Sequence, residues 1–114
     1  MPPYPQYSNI LQNIGVLWMY TAHMAKIKTS NQLERHFKGI ANHWRIDILH
    51  IVAKRPGITL EEIADGLRGN FKTISEHTKK LSGAGLIDKT YKGRSVTHTL
   101  SPYGKIFVAF IKSF

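Results

Sequence analysis

Seven basic side chains and two acidic ones lie between residues 68 and 94 of this chain of 114 residues. This segment therefore carries an excess of five positive charges, more than half of the formal net charge of +9. Lysine and arginine donate hydrogen bonds to phosphate oxygens and to the major-groove edge of guanine, so the pattern favours nucleic acid as a partner. A solvated basic surface without such a partner is the alternative. The cations are Arg68, Lys72, Lys79, Lys80, Lys89, Lys92 and Arg94, and the acids are Glu76 and Asp88.

Residues 70–82 have the pattern of a short helix that would present these groups to DNA. Asn70 can cap its start, and Ile74, Thr78 and Leu81 follow at helical spacing as an inward stripe. The remaining positions could enter a major groove. His77 lies at the border of the two faces, so packing and base contact both stay open for it. The predicted groove residues, with the cap, are Asn70, Lys72, Thr73, Ser75, Glu76, His77, Lys79 and Lys80.

A basic hairpin follows this helix. We predict strands over 86–91 and 96–100, joined by a tip in which Gly93 can adopt positive φ. Lys89, Lys92 and Arg94 would then hold the hairpin on the phosphate backbone or enter the minor groove.

The flanking segments have strong helix signals. Asn42 precedes a helix over about 44–54, and Thr59 with Glu62 forms a capping box for a helix over 60–67. Ser101 and Pro102 mark the start of the last helix. The predicted fold class is therefore mainly α with a small β-hairpin, a winged helix-turn-helix over 40–100.

The two ends of the chain carry more apolar surface than a monomer needs. We predict a flexible arm over 1–6, helices over 7–39 that include a first helix from 7 to about 28, and a C-terminal helix within 101–114. Ser30 or Asn31 would cap the second helix and Gly39 would end it. We expect a homodimer interface, with a membrane surface as the alternative for the first helix, although polar residues interrupt it and it contains no run of about 20 apolar residues. The predicted interface residues are Ile10, Ile14, Leu17, Trp18, Phe107 and Phe110.

Several function classes have little support in the sequence. The chain has no cysteine, and its six histidines are scattered without metal-binding spacing, so we expect no metal and no cofactor. No paired carboxylates, nucleophile set or phosphate-binding glycine loop indicates an enzyme. The start at Met1-Pro2-Pro3-Tyr4 lacks a basic signal region, and we expect a cytoplasmic protein with no membrane partner.

The segment from about Leu33 to Leu100 resembles the ArsR-type winged-helix repressors. Residues 37–49 are similar to the family's opening segment, which usually ends in R-[LI]-x-I-L, and Arg45 takes its arginine position. We expect a structural role for Arg45, such as an ion pair with Asp47 or another helix. Residues 74–77 resemble the recognition-helix pattern V-S-x-H, and residues 84–87 with Gly93 match the turn and wing. Regulators of the MarR type share the scaffold and are the less favoured relative.

The resemblance implies a homodimer that controls transcription, usually by repression that an effector relieves. The chain departs from the family at both usual metal sites, because it has no cysteine and residues 103–114 contain no Asp, Glu or His. Thr78 stands where the family prefers leucine. An effector, if one exists, is an unknown small molecule, such as an apolar one held near the terminal helices. The rival interpretation is a winged-helix module that docks a protein or a membrane surface through the apolar N-terminal helix.

Overall fold

The computed structural model describes residues 27–114. The arm predicted over 1–6, most of the first helix, and the interface residues Ile10, Ile14, Leu17 and Trp18 lie outside the described residues. The elements, in chain order, are α1 (Ser30–Ile40), α2 (His43–Lys54), β1 (Ile58–Thr59), α3 (Leu60–Leu67), α4 (Phe71–Gly83), β2 (Ile87–Lys92), β3 (Ser95–Leu100) and α5 (Pro102–Ile111).

The starts of α3, α4 and α5 confirm the caps predicted from the sequence. Thr59 and Glu62 form a reciprocal capping box, and the Asn70 Oδ1 accepts hydrogen bonds from the first free amides of α4. The Ser101 hydroxyl accepts from the Gly104 amide at 3.0 Å, with Pro102 in the first turn. These side chains satisfy amides that a helix leaves without internal partners, which fixes where each helix begins.

The limits predicted for α1 were wrong. Its cap is Thr29, whose hydroxyl accepts from the Gln32 amide at 3.2 Å, while the Gln32 side chain accepts from the Thr29 amide at 2.9 Å. This reciprocal pair is a capping box, which satisfies two backbone amides at the start of α1. Gly39 lies inside the helix rather than ending it, and a Cβ there would collide with the Cβ of Ala84.

The sheet has one strand more than the predicted hairpin. Strand β1 pairs antiparallel with β3 through Ile58 opposite His98, and the strand order is β1-β3-β2. In the hairpin, Lys92 lies opposite Ser95, and the two-residue connection has Gly93 at φ 61°. Positive φ at the first central position only is typical of a type II′ turn, which suits the twist of the two strands.

Helices α2, α3 and α4 enclose the core, and the base of the sheet and α5 close it. The inward stripe predicted for α4 is confirmed, since Ile74, Thr78 and Leu81 are at most 1% exposed. The Thr78 hydroxyl donates to the Ile74 carbonyl at 2.8 Å, so the polar group at this buried position is satisfied inside its own helix.

Arg45 is structural, but not through the expected ion pair with Asp47. Its Nη1 donates to the carbonyl oxygens of Lys38 and Gly39, each at 3.0 Å. These carbonyls belong to the last turn of α1, where no further helical amide is available to them. Arg45 thereby ties α1 to α2.

Candidate nucleic-acid interface

Helix α4 presents a polar face on the side opposite its buried stripe. Lys72, Glu76, Lys79 and Lys80 are exposed, whereas Thr73 and Ser75 are half-buried beside them. The Asn70 Oδ1 accepts from the amides of Lys72 (2.9 Å) and Thr73 (3.2 Å), so this exposed side chain is committed to capping through its oxygen. The helix can therefore offer several donors and one carboxylate to a groove.

The hairpin carries its three cations on different sides. Lys89 lies opposite His98 and shares the inner face of the sheet with the buried Ile87, whereas Lys92 is on the outer face and Arg94 is in the turn. All three are exposed. A hairpin with cations on both faces and at its tip can follow the phosphates on either side of a groove.

Several basic residues near α1 and α2 have partners, whereas those of α4 and the hairpin form no ion pair with any described residue. Lys38 pairs with Glu34 at 3.2 Å, Arg55 pairs with Glu62 at 2.9 Å, and Lys28 lies 4.1 Å from the centre of the Tyr103 ring. Within residues 27–114, no cation of α4 or the hairpin forms an ion pair. The largest group of uncompensated positive charges in the described part of the chain thus lies on these two elements.

His77 lies half-buried behind the exposed face of α4. Its Nδ1 atom is buried and has no hydrogen-bond partner among the described residues. Burial lowers the pKa of His77, and the nearby charges of Arg45 and Lys80 lower it further against the opposing effect of Glu76. The surroundings of His77 therefore disfavour a positive charge on its imidazole. Its base contact stays a prediction.

Two exposed aromatic side chains on the same elements were missed from the sequence. Phe71, in the first turn of α4, is 51% exposed, and Tyr91, on β2, is 74% exposed. Tyr91 lines an open cleft of about 410 Å³ together with Lys89, Arg94 and the start of α3. Tyr91 alternates with Ile87 and Lys89 on the inner face of the sheet, beyond the point where the core ends.

Two of the five histidines within residues 27–114 are buried and join elements of the core. The Nδ1–H of His36 donates to the Ala84 carbonyl at 2.7 Å, and that of His98 donates to the Ile58 carbonyl at 3.0 Å. Each links two elements that are distant in sequence. Across residues 27–114, no group of three or more His, Cys, Asp or Glu side chains converges as a metal site would require.

An apolar face spans α1 and α5. Phe37 is 51% exposed and meets the half-buried Phe107 edge-on, with ring centroids 5.3 Å apart. Phe110 is 40% exposed and contacts Phe114 in the same manner at 5.1 Å. Leu33, also exposed, extends the patch along α1. None of the helices formed by residues 27–114 combines the length and apolarity that a bilayer crossing requires.

Comparison with known proteins supports the resemblance inferred from the sequence. Residues 43–89 match the family described as bacterial regulatory protein, arsR family. This match begins at α2 and ends on β2, so it includes both helices of the helix-turn-helix and the first half of the first hairpin strand. No curated protein sequence matches the chain.

Solved structures show the same fold. HlyU from Vibrio cholerae is 22% identical, with a TM-score of 0.64 over 75% of this chain and 92% of that one. A homodimeric winged helix-turn-helix DNA-binding domain from Mycobacterium bovis is 21% identical, with a TM-score of 0.63 over 75% and 84% of the two chains. NolR from Sinorhizobium fredii is 14% identical, with a TM-score of 0.63 over 75% and 91%. The predicted winged helix-turn-helix is therefore confirmed.

Proposed function

Because residues 43–89 match the arsR family of bacterial regulatory proteins, we propose that this chain is a sequence-specific DNA-binding regulator of transcription, acting in the cytoplasm as a homodimeric repressor. Helix α4 enters the major groove of double-stranded DNA, and the hairpin lies on the backbone beside it. No catalytic step is involved.

The observation that carries this proposal is the set of exposed cations without ion-pair partners on α4 and the hairpin. An exposed lysine gains little from a surface ion pair, but it gains from a phosphate because binding releases condensed counterions from DNA. The same elements lie adjacent in the fold, as contacts between α4 and β2 show. One duplex can therefore meet both.

The contacts divide into two kinds. Lys72 and Glu76 are exposed one helical turn apart on α4, where a lysine can donate to guanine and a carboxylate can accept from the cytosine amine. Lys89, Lys92 and Arg94 have no bases to read if the hairpin follows the backbone, so they supply affinity without sequence preference.

The apolar face of α1 and α5 supports the homodimer. Its exposed Phe37, Phe110 and Phe114 are large apolar side chains of the kind that marks association sites when they form a large patch. The structural neighbour from Mycobacterium bovis is described as homodimeric. We propose a second copy of this chain as the occupant, with Phe107 and Phe110 in the interface as the sequence predicted.

Selection of bound duplexes from a randomised DNA pool, at near-physiological salt, tests the proposal. A dimer with two-fold symmetry predicts an enriched inverted repeat with half-sites about 10 base pairs apart, one helical turn. Lys72→Gln or Glu76→Gln should change the enriched sequence, whereas the double variant Lys92→Ala/Arg94→Ala should lower affinity for all sequences alike.

The other outcomes of the selection separate the alternatives. Bound DNA without an enriched motif would contradict sequence-specific regulation and favour a non-specific architectural role. Absence of bound DNA would contradict the proposal and favour a protein-interaction module. Expression of a reporter behind the selected sequence then gives the sign of regulation, for which we propose repression. A small-molecule effector that relieves repression would shift the midpoint of DNA binding in the same assay.

A further inference from the structure

Arg68 has a backbone conformation that arginine seldom adopts. Its φ is 53° and its ψ is 37°, and it is the one residue other than glycine with positive φ in the described part of the chain. In this left-handed region the Cβ atom of an L-residue crowds the carbonyl oxygen, so glycine is the usual occupant.

The hydrogen bonds around Arg68 show why this conformation is required. The Arg68 amide donates to the Asp65 carbonyl at 3.2 Å, and the Gly69 amide donates to the Ala64 carbonyl at 3.0 Å. This is the Schellman pattern that ends a helix, and it forces the residue after the last helical one into the left-handed region. The turn between α3 and α4 therefore fixes the backbone at residue 68 whatever side chain it carries.

The glycines on either side of Arg68 serve packing. A Cβ at Gly66 would lie 2.5 Å from the Cδ1 of Ile51, and a Cβ at Gly69 would lie 2.6 Å from the Cγ1 of Ile74. The turn thus has glycine where a neighbour leaves no room, and arginine where the backbone conformation favours glycine. Folding alone does not explain an arginine at position 68.

The Arg68 side chain also has no structural task within residues 27–114. It is exposed, and it makes neither a hydrogen bond nor an ion pair there, although Asp65 lies only three residues earlier. Arg45 and Arg55, by contrast, are both engaged. A residue that has a strained backbone conformation, and whose side chain makes no stabilising contact, is often retained for function.

We propose that Arg68 is a phosphate-binding residue that positions α4 on DNA, an inference that rests on the proposed function. It lies two residues before the Asn70 cap, with Lys72 on the first turn that follows, and therefore adds a cation where the chain enters the recognition helix. The five-donor guanidinium fits a phosphate group.

The glycine variant separates this role from a structural one. Arg68→Gly relieves the backbone conformation, so thermal stability should be unchanged or higher, while DNA binding weakens. Loss of one phosphate contact should lower the slope of log K against log salt concentration by about 0.9 and weaken binding about fivefold at physiological salt. A substitution that harmed only the fold would lower the melting temperature, and it would leave the salt slope unchanged.

Two further variants keep the test decisive if Arg68→Gly folds poorly. Arg68→Lys retains the charge and should keep most of the affinity, whereas Arg68→Asn accepts the left-handed backbone and should lose the same fivefold. Lys105→Gln removes one exposed charge from α5 and should leave the salt slope unchanged. All variants are compared by fluorescence anisotropy on the duplex selected with the unmodified protein, across a salt series.

The failures of the two proposals are distinguishable. If the unmodified protein binds no duplex, the proposed function fails and this inference fails with it. If the unmodified protein binds with a steep salt dependence and Arg68→Gly and Arg68→Asn bind equally well with the same slope, Arg68 makes no phosphate contact and only this inference is overturned.

Discussion

Helices α3 and α4 meet the same folding requirements in the same way. The Thr59 hydroxyl caps α3 by accepting from the Glu62 amide, and the Asn70 side chain caps α4. Each helix buries an isoleucine completely, Ile63 in α3 and Ile74 in α4. The caps and the buried stripes therefore do not distinguish the two helices.

Their exposed charges differ in sign. Helix α3 carries Glu61, Glu62 and Asp65 and no lysine or arginine, whereas α4 carries three lysines, Lys72, Lys79 and Lys80, with Glu76 as its one acid. Because both helices pack in the same core by the same means, packing does not require this difference. The charge of α4 is better explained by an anionic partner than by the fold.

The largest expected effect tests whether α3 and α4 contribute alike to the core, since each buries one isoleucine completely. Ile63→Ala and Ile74→Ala should each lower the free energy of unfolding by about 2–5 kcal/mol, because each removes a fully buried side chain and leaves a cavity. Urea unfolding measures both. A loss below about 1 kcal/mol in only one of them would show that the two helices do not contribute alike to the core.

The next effect is a loss of DNA affinity, and it measures the contribution of the hairpin cations. The double variant Lys92→Ala/Arg94→Ala removes two exposed cations, so the salt slope should fall by about 1.8 and affinity at physiological salt by about thirtyfold. Anisotropy titrations on the selected duplex and on an unrelated duplex should show the same loss. A loss confined to the selected duplex would mean that the hairpin reads sequence.

A smaller effect distinguishes the cap of α3 from the cap of α4. Thr59→Ala and Asn70→Ala each remove a cap and should cost about 1 kcal/mol of unfolding free energy. Asn70→Ala should also weaken DNA binding, because it frays the first turn of α4, whereas Thr59→Ala should not. Equal effects of the two variants on binding, measured where both remain folded, would contradict the assignment of α4 as the recognition helix.

The smallest effect is a pH dependence of α3. The pKa of Glu62 lies below its ordinary value because the Thr59 amide and hydroxyl donate to the carboxylate, with a further contribution from Arg55. Since the folded-state pKa is the lower one, this contribution is present above about pH 4.5 and is lost as the pH falls through the folded-state pKa. Urea unfolding measures the free energy of unfolding at pH 7 and at pH 3.5. Between these two values it should decrease less for Glu62→Gln than for the unmodified protein. An equal decrease in both would contradict the role of Glu62.

Local signals made much of the fold predictable from the sequence. The caps at Thr59, Asn70 and Ser101 involve residues three or fewer positions apart, so the sequence alone contains both partners. The buried stripe of α4 follows from helical periodicity. The order of these elements, short helices followed by a basic hairpin, predicted the winged helix-turn-helix, and the family resemblance supported it.

The features that were missed include one that depends on partners distant in sequence and others for which the sequence has no distinctive local pattern. Strand β1 has two residues, and it exists because Ile58 and Thr59 pair with β3 about 40 positions later. Arg45 finds its acceptors at the end of α1, and no local pattern indicates them. The exposure of lysines on α4 was predictable, but the left-handed backbone of Arg68 was not, because the Schellman turn places arginine where glycine is usual.

The most direct test of the central claim is a matched neutralisation of the two helices. The variant Lys72→Gln/Lys79→Gln/Lys80→Gln removes the positive charges of α4, and Glu61→Gln/Asp65→Asn removes negative charges of α3 while sparing its capping box. Anisotropy titrations with the selected duplex at physiological salt should show a loss of about a hundredfold or more for the α4 variant and equal or tighter binding for the α3 variant. Binding by the α4 variant that equals that of the unmodified protein would contradict the assignment of α4 as the DNA-binding helix.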